Sequence, residues 1–171
     1  MPTDHPPAFD AIAGDETKAA FISRRPELVS WLDKGTKLFK WTQSITTSRG
    51  VSPWWQFLTA HVLPNGEVCP GIRELQERAR NTGSHDRDFA RAQAAVTLNW
   101  NKMTSPVAIE MTDGAWGYIG RAAGQLRDKS DPGVFFIGGG YQVWIPDISI
   151  HIIKQIALVP YLEPNMHFNP R

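Results

Sequence analysis

The sequence predicts an α+β fold, with a helical N-terminal part followed by a strand-rich, mostly antiparallel sheet core. Three observations point there. The order of elements is helices, one strand, more helices and then clustered strands, which segregates the two kinds of structure instead of alternating them. β-branched and aromatic runs separated by Asp-Gly and Gly-Gly fill the last third of the chain. A chain of 171 residues with 42% hydrophobic and 20% charged residues suits one globular domain with its own core.

Residues 1–14 read as a flexible leader, because prolines and small residues dominate and no period emerges. Residues 15–171 read as the globular domain. Asp15 can cap a first helix that carries Ala19, Phe21 and Ile22. Pro26 suits the first turn of a second helix, with Leu28, Trp31 and Leu32 on one face and Gly35 just past its end. The stretch 36–43 is a strand, because Leu38, Lys40 and Thr42 share one face and Phe39 and Trp41 the other. Residues 46–70 are turn-rich and hold Arg49-Gly50-Val51-Ser52-Pro53-Trp54-Trp55, which reads as a long irregular loop. Two readings of its tryptophans compete: one plugs the core while the other covers it, or both serve binding.

Ile72, Leu75 and Ala79 predict a helix over 71–80. Ser84 and Asp86 can cap the strongest helix, whose stripe is Phe89, Ala92, Val96, Trp100 and Met103. The strands 107–111 and 115–119 flank Thr112-Asp113-Gly114, a hairpin signal. The strands 134–137 and 141–145 flank Gly138-Gly139-Gly140 and predict a second hairpin or bulged pair. A short helix over 148–156 and a final strand over 157–161 complete the reading.

Composition removes several function classes. A formal net charge of +1 argues against a broad nucleic-acid or membrane surface. One cysteine, Cys69, forbids an internal disulfide and a multi-cysteine zinc site. The five histidines are scattered, so no metal is expected. No apolar run approaches about 20 residues, and the N-terminus lacks a signal-peptide pattern. The expected place of synthesis is the cytoplasm, with delivery by a specialised secretion system left open. Dinucleotide, phosphate-loop and nucleophile-elbow motifs are missing. His61 with Cys69 is a nucleophilic couple on paper, but an inert buried thiol is the preferred reading.

Three polar features interrupt apolar strands: Lys40 within 38–41, Arg121 within 116–125, and the glycine run that leads into Tyr141-Gln142-Val143-Trp144-Ile145-Pro146. Glycines beside aromatic residues permit close approach of a ligand. Arg121, Arg49 and Lys40 suit a phosphate or carboxylate, and tryptophans suit a flat ring. The competing reading is that the glycines make turns and the cations are solvated.

The run from Gly138 to Pro146 resembles the late strand of ADP-ribosyltransferases and related toxins. Leu38-Phe39-Lys40 resembles the early strand of that family, which carries an Arg or His that contacts NAD. Thr46-Thr47-Ser48 is similar to the polar Ser/Thr element between them. The family's catalytic glutamate falls at Gln142 and its early arginine at Lys40. The resemblance spans Gly35 to Pro146. It implies NAD as substrate, bound between two strand groups without a metal. It also implies Gln142, Glu110 and Arg121 as catalytic residues, with Gln142 or Glu110 at the ribose. Lys40, Arg49, Trp54, Trp55 and Gln125 form the implied cofactor set. Arg49, Lys40 or Arg121 holds the pyrophosphate, and Trp54 or Trp55 packs on a ring. The implied protein is a bacterial toxin or effector that hydrolyses NAD or transfers ADP-ribose to a protein or nucleotide acceptor, with a cognate immunity protein as partner. Two other readings stand beside it. One is a non-catalytic interaction module with Trp54 and Trp55 as exposed anchors. The other is a metal-independent ribonuclease using His61, Arg49 and Lys40.

Overall fold

The computed structural model of the chain describes residues 5–42, 44–48, 50–94, 96, 103, 105–128 and 131–162. Phe9–Ile12 (α1) and Asp15–Ala19 (α2) are short helical turns. Neither would persist alone, since isolated helices need about 12–15 residues. Packing holds them: the Phe9 ring lies 5.6–5.8 Å from the rings of Phe21, Tyr118 and Trp144. Within the stretch expected to be a leader, Phe9 therefore fills an aromatic pocket on the sheet.

The chain continues through β1 (Leu28–Leu32), β2 (Lys37–Thr42), β3 (Thr46–Thr47), β4 (Gly50–Val51), β5 (Trp54–Phe57), β6 (His61–Val62) and β7 (Val68–Cys69). Two helices follow, α3 (Ile72–Asn81) and α4 (Asp86–Ala94). The remaining strands are β8 (Ser105–Met111), β9 (Ala115–Arg121), β10 (Gln125–Asp128), β11 (Asp131–Phe136), β12 (Tyr141–Trp144) and β13 (Ile153–Ile156). Seven strands form one sheet in the order β1-β9-β12-β5-β2-β8-β13, and every pairing in it is antiparallel. The fold is thus α+β with a sheet-dominated core. Among the described residues, no helix is long and apolar enough to cross a membrane.

The connections require this sheet to curl. β1 and β2 are four positions apart in the sheet, as are β9 and β8. A flat sheet would separate each pair by about 19 Å, at ~4.8 Å per strand. The links run only from Leu32 to Lys37 and from Met111 to Ala115. Fully extended, they reach about 17 Å and 14 Å. The two links run side by side, with Gly35 N donating to Met111 O at 2.8 Å and Met111 N to Thr36 O at 2.9 Å. The inner faces enclose one apolar cluster drawn from all seven strands, including Leu32, Ile119, Val143, Trp55, Leu38, Ile109 and Ile153. The β6–β7 hairpin adds Leu63 and Cys69 to it. Outside, Ile72 and Leu75 of α3 pack over Phe39 and Ala108, while Phe21 packs over Tyr118 and Trp144.

Several expectations change. The helix expected from Pro26 is strand β1. Leu28 and Leu32 enter the inner cluster while Val29 enters an outer one, so an alternating pattern covered on both faces prevails over the helical spacing. The loop expected around Trp54 and Trp55 is β5, in the middle of the sheet. Neither expected hairpin forms: β8 pairs with β2 and β13, and β9 with β1 and β12. Here the Asp113-Gly114 turn links two parts of a curled sheet instead of two neighbours. Likewise β11 turns back onto β10. The Gly138–Gly140 run instead docks the end of α4, with Gly140 N donating to Gln93 O at 2.9 Å. A Cβ on Gly140 would lie 2.8 Å from that oxygen, so only glycine fits.

The helix over 71–80 is α3, and its Gly71 N donates to Glu74 Oε2 at 3.0 Å. α4 runs over Asp86–Ala94 and carries Phe89 and Ala92 of the expected stripe; Met103 has φ +52°, and Trp100 lies outside the described residues. The expected C-terminal helix is a 3-10 turn (Ile150–Ile152) followed by β13. The expected last strand is a 3-10 turn (Val159–Tyr161) with Pro160 in its first positions.

Candidate active cleft

Strand pairing sets Arg121 of β9 directly opposite Tyr141 of β12, both on the inner face near the end of their strands. The Asn65-Gly66 turn of the β6–β7 hairpin carries Glu67 to them. Gly66 has φ +84°, a conformation that glycine adopts without strain. Arg121 Nη2 donates to Glu67 Oε1 at 3.0 Å and to Tyr141 OH at 3.3 Å. Tyr141 OH donates to Glu67 Oε2 at 2.9 Å, and Asn65 Nδ2 donates to the same oxygen at 2.9 Å. Glu27, just before β1, accepts the Arg121 backbone N–H at 3.3 Å and lies 3.8 Å from Nε. The Arg121 guanidinium also sits 5.2 Å from the Tyr141 ring centre.

These contacts shift the groups in one direction each. The hydrogen bonds from Asn65 and then Tyr141 hold the Glu67 carboxyl below its ordinary value. Burial raises the Tyr141 phenol, and the bond to Tyr141 raises Arg121 further. At neutral pH Glu67 is therefore a carboxylate, Arg121 a guanidinium and Tyr141 an intact phenol. They border a cleft of about 300 Å³, at the lower end of the range for small-molecule sites. Val68, Pro70 and Leu75 give it an apolar wall, Arg78 and Gln93 add polar groups, and Gly139 and Gly140 expose backbone.

Two of the three polar features singled out in the sequence meet here, the Arg121 segment and the Gly138–Tyr141 segment. The other candidates lie elsewhere. Gln142 points to the opposite face, is buried, and donates to Ala20 O at 2.8 Å. Glu110 lies on the outer face between Lys154 at 2.9 Å and Lys37 at 3.6 Å. Lys40 sits over the Trp55 ring, 4.4 Å from its centre. Burial lowers its ammonium pKa to about 8. Trp55 is 1% exposed in the inner core, and Trp54 packs between Phe21 at 5.4 Å and Trp144 at 6.3 Å. One tryptophan therefore fills the inner core and the other covers the outer face, which leaves neither as an exposed anchor. Gln125 pairs with Phe136 in the β10–β11 hairpin, away from the cleft lining. Arg49 lies outside the described residues.

His61 and Cys69 are cross-strand neighbours in β6–β7. The His61 ring stacks on Phe57 at 4.2 Å, and burial pushes the Cys69 thiol up to about 12. A thiol so buried is a packing group, as the preferred sequence reading had it. Among the described residues, no group of three or more metal-ligating side chains comes together. Glu67, Arg78 and Glu27 escaped the sequence reading, and Tyr141 was named only as part of the glycine-rich feature, with no role of its own. Arg121 and the glycine run beside Tyr141 were the local signs of the place.

No protein-family model and no curated protein sequence matches this chain. Among solved structures, the chain is similar to Rhs1-CT, determined in complex with its cognate immunity protein RhsI1. The TM-score is 0.50 at 16% identity, covering 91% of this chain and 95% of that one. At that identity the likeness is one of fold, and it extends over nearly all of both chains.

Proposed function

We propose that this chain is a toxin-type effector domain whose enzymatic site is the Glu67–Arg121–Tyr141 cleft. There it cleaves the nicotinamide–ribose bond of NAD and passes ADP-ribose to water or to an acceptor. The observation that carries the reading is a carboxylate held ionised in a cleft by Asn65, Tyr141 and Arg121. In the reaction the bond from ribose C1′ to the nicotinamide nitrogen breaks. Nicotinamide departs with the electron pair, and positive charge develops on C1′ and the ring oxygen. A fixed, anionic Glu67 stabilises that charge. Water or an acceptor then bonds to C1′ and gives up its proton to solvent. Arg121 holds Glu67 in place, and Tyr141 fixes its second oxygen.

The direction of the Glu67 shift favours this chemistry over acid–base cleavage of RNA. A general base works best when its pKa approaches the working pH, and Glu67 is displaced the other way. Support for the toxin-type part comes from the fold shared with Rhs1-CT, a protein that has a cognate immunity partner. An immunity partner implies an activity that the producing cell must block. On this reading the present chain has such a partner as well, and reaches its target through a secretion system.

The test is nicotinamide release from NAD by the purified chain, with and without cell lysate. Wild type is expected to release it, and Glu67→Gln to lower kcat by about 10²–10³-fold, the range for losing one charge-stabilising group. Release that Glu67→Gln leaves unchanged removes the cleft from the chemistry. Intact NAD beside degraded RNA moves the chain to the ribonuclease class.

A further inference from the structure

The two arginines of the cleft are in opposite situations. Arg121 is committed to the protein: Nη2 serves Glu67 and Tyr141, and Nε faces Glu27. Arg78 lines the cleft from α3 and is exposed, with no carboxylate within ion-pair distance among the described residues. One turn earlier on the helix, where an i, i+4 partner would sit, is Glu74. Its carboxylate is turned back to the Gly71 N–H at 3.0 Å. The charged side chains lining the cleft are Glu67, Arg78 and Arg121, and Arg121 is already held by Glu67 and Glu27, so Arg78 is the lining cation left to meet an anion.

We propose that Arg78 is the anion-receiving arm of this cleft and takes the diphosphate of the substrate, while Arg121 positions the carboxylate. The inference rests on the NAD reading for the identity of the substrate, but the anion arm can be tested without turnover. A planar guanidinium forks onto two phosphate oxygens, which a point-charge ammonium cannot do. The apolar wall of Val68, Pro70 and Leu75 lies in the same cavity and suits the flat ring of a nucleotide.

α3 supplies its own control. Arg80 stands in the same last turn with the same charge and the same effect on the helix end, but does not line the cleft. ADP carries the diphosphate and lacks the scissile bond, so it reports binding alone. Calorimetry on the full chain is expected to show Arg78→Ala weakening ADP about tenfold, the worth of one charged hydrogen bond. Arg80→Ala is expected to stay within about twofold, because rim charges contribute little. Arg78→Lys is expected to fall between. In turnover, Arg78→Ala should raise KM for NAD and leave kcat within about twofold.

The proposal is overturned if Arg78→Ala binds ADP as wild type does, if Arg80→Ala weakens binding equally, or if wild type does not bind ADP. ADP binding through Arg78 without NAD cleavage would sink the NAD reading and keep the anion arm. NAD cleavage indifferent to Arg78 would do the reverse.

Discussion

Two carboxylates on this fold have similar partners and different meanings. Glu110 is held by Lys154 and Lys37, and Glu67 by Arg121, Tyr141 and Asn65. Both are shifted below the ordinary carboxylate value, in each case mainly by hydrogen bonds to the charged form. Glu110, however, meets its lysines in register on adjacent strands, so the ladder alone brings the three together. Glu67 gathers groups from separate places, a hairpin turn, the end of β9 and the start of β12, and its partner Arg121 also reaches Glu27 on the approach to β1. They surround a cleft, whereas the Glu110 cluster covers the outer face. Pairing through the ladder needs no purpose beyond covering a sheet. Convergence of remote segments on a cavity calls for one, because each segment must be held against its own conformational freedom.

The largest expected effect tests that distinction directly. Glu67→Gln should lower NAD cleavage by about 10²–10³-fold, while Glu110→Gln changes it less than about twofold. Circular dichroism should show both variants folded. Comparable losses from the two would erase the difference drawn here, and so would no loss from either.

Lys40 extends the comparison to a cation with no carboxylate among the described residues. Burial lowers its pKa from 10.5 to about 8. Between those values the unfolded chain binds a proton that the folded chain has released, so this residue's contribution to stability rises with pH across that window. The full shift corresponds to about 3 kcal/mol at ~1.4 kcal/mol per unit. Attraction to the Trp55 ring returns about 1 kcal/mol. Lys40→Met should therefore be more stable than wild type by about 2 kcal/mol at pH 7 in urea unfolding, with the gap closing above pH ~10. A variant less stable at pH 7 would show that the ring contact outweighs burial.

A finer probe is the acid limb of activity. Asn65 is the largest cause of the Glu67 shift. Asn65→Ala should move the acid limb of kcat upward, towards the ordinary glutamate value of 4.5, and leave the rate at pH 7 largely intact. An acid limb that stays in place would assign the limb to another group.

How far the sequence could lead depended on the range of the interactions. β2 was legible because Leu38, Lys40 and Thr42 alternate with Phe39 and Trp41, and both sides are covered. β1 was not, because Leu28, Trp31 and Leu32 satisfy helical and alternating spacing alike, and only pairing with β9 decides between them. The Asp113-Gly114 turn was visible, but its use as a bridge across a curled sheet depends on the three strands that lie between β9 and β8 and are not local to it. The site divides in the same way. Arg121 and the glycine run beside Tyr141 drew attention through their neighbours. Glu67 did not, because it reads as the end of an Asn-Gly turn, and its partners lie 54 and 74 residues further along. Gln142 matched a family pattern by position, yet strand alternation turns it to the face opposite Tyr141.

The smallest expected effect concerns Glu110 as a structural group. Its folded-state pKa is lowered, so its contribution to stability is present above the ordinary carboxylate value. That contribution is lost as pH falls through the lowered one. An ion cluster at a solvent-facing strand surface is screened by salt, with a Debye length of about 3 Å at 1 M. Glu110→Gln should lower the melting midpoint by less than about 3 °C at low salt, and the difference should vanish in 1 M NaCl and fade as pH drops through the lowered Glu110 pKa. The effect of Glu67→Gln on kcat should persist in 1 M NaCl, because in the complex the developing charge lies in direct contact with that carboxylate, closer than the screening length. A salt-sensitive Glu67 effect would mean that the reacting charge does not form in contact with that carboxylate, and a salt-resistant Glu110 effect would mean that its lysine pairs contribute more than an exposed strand pair does.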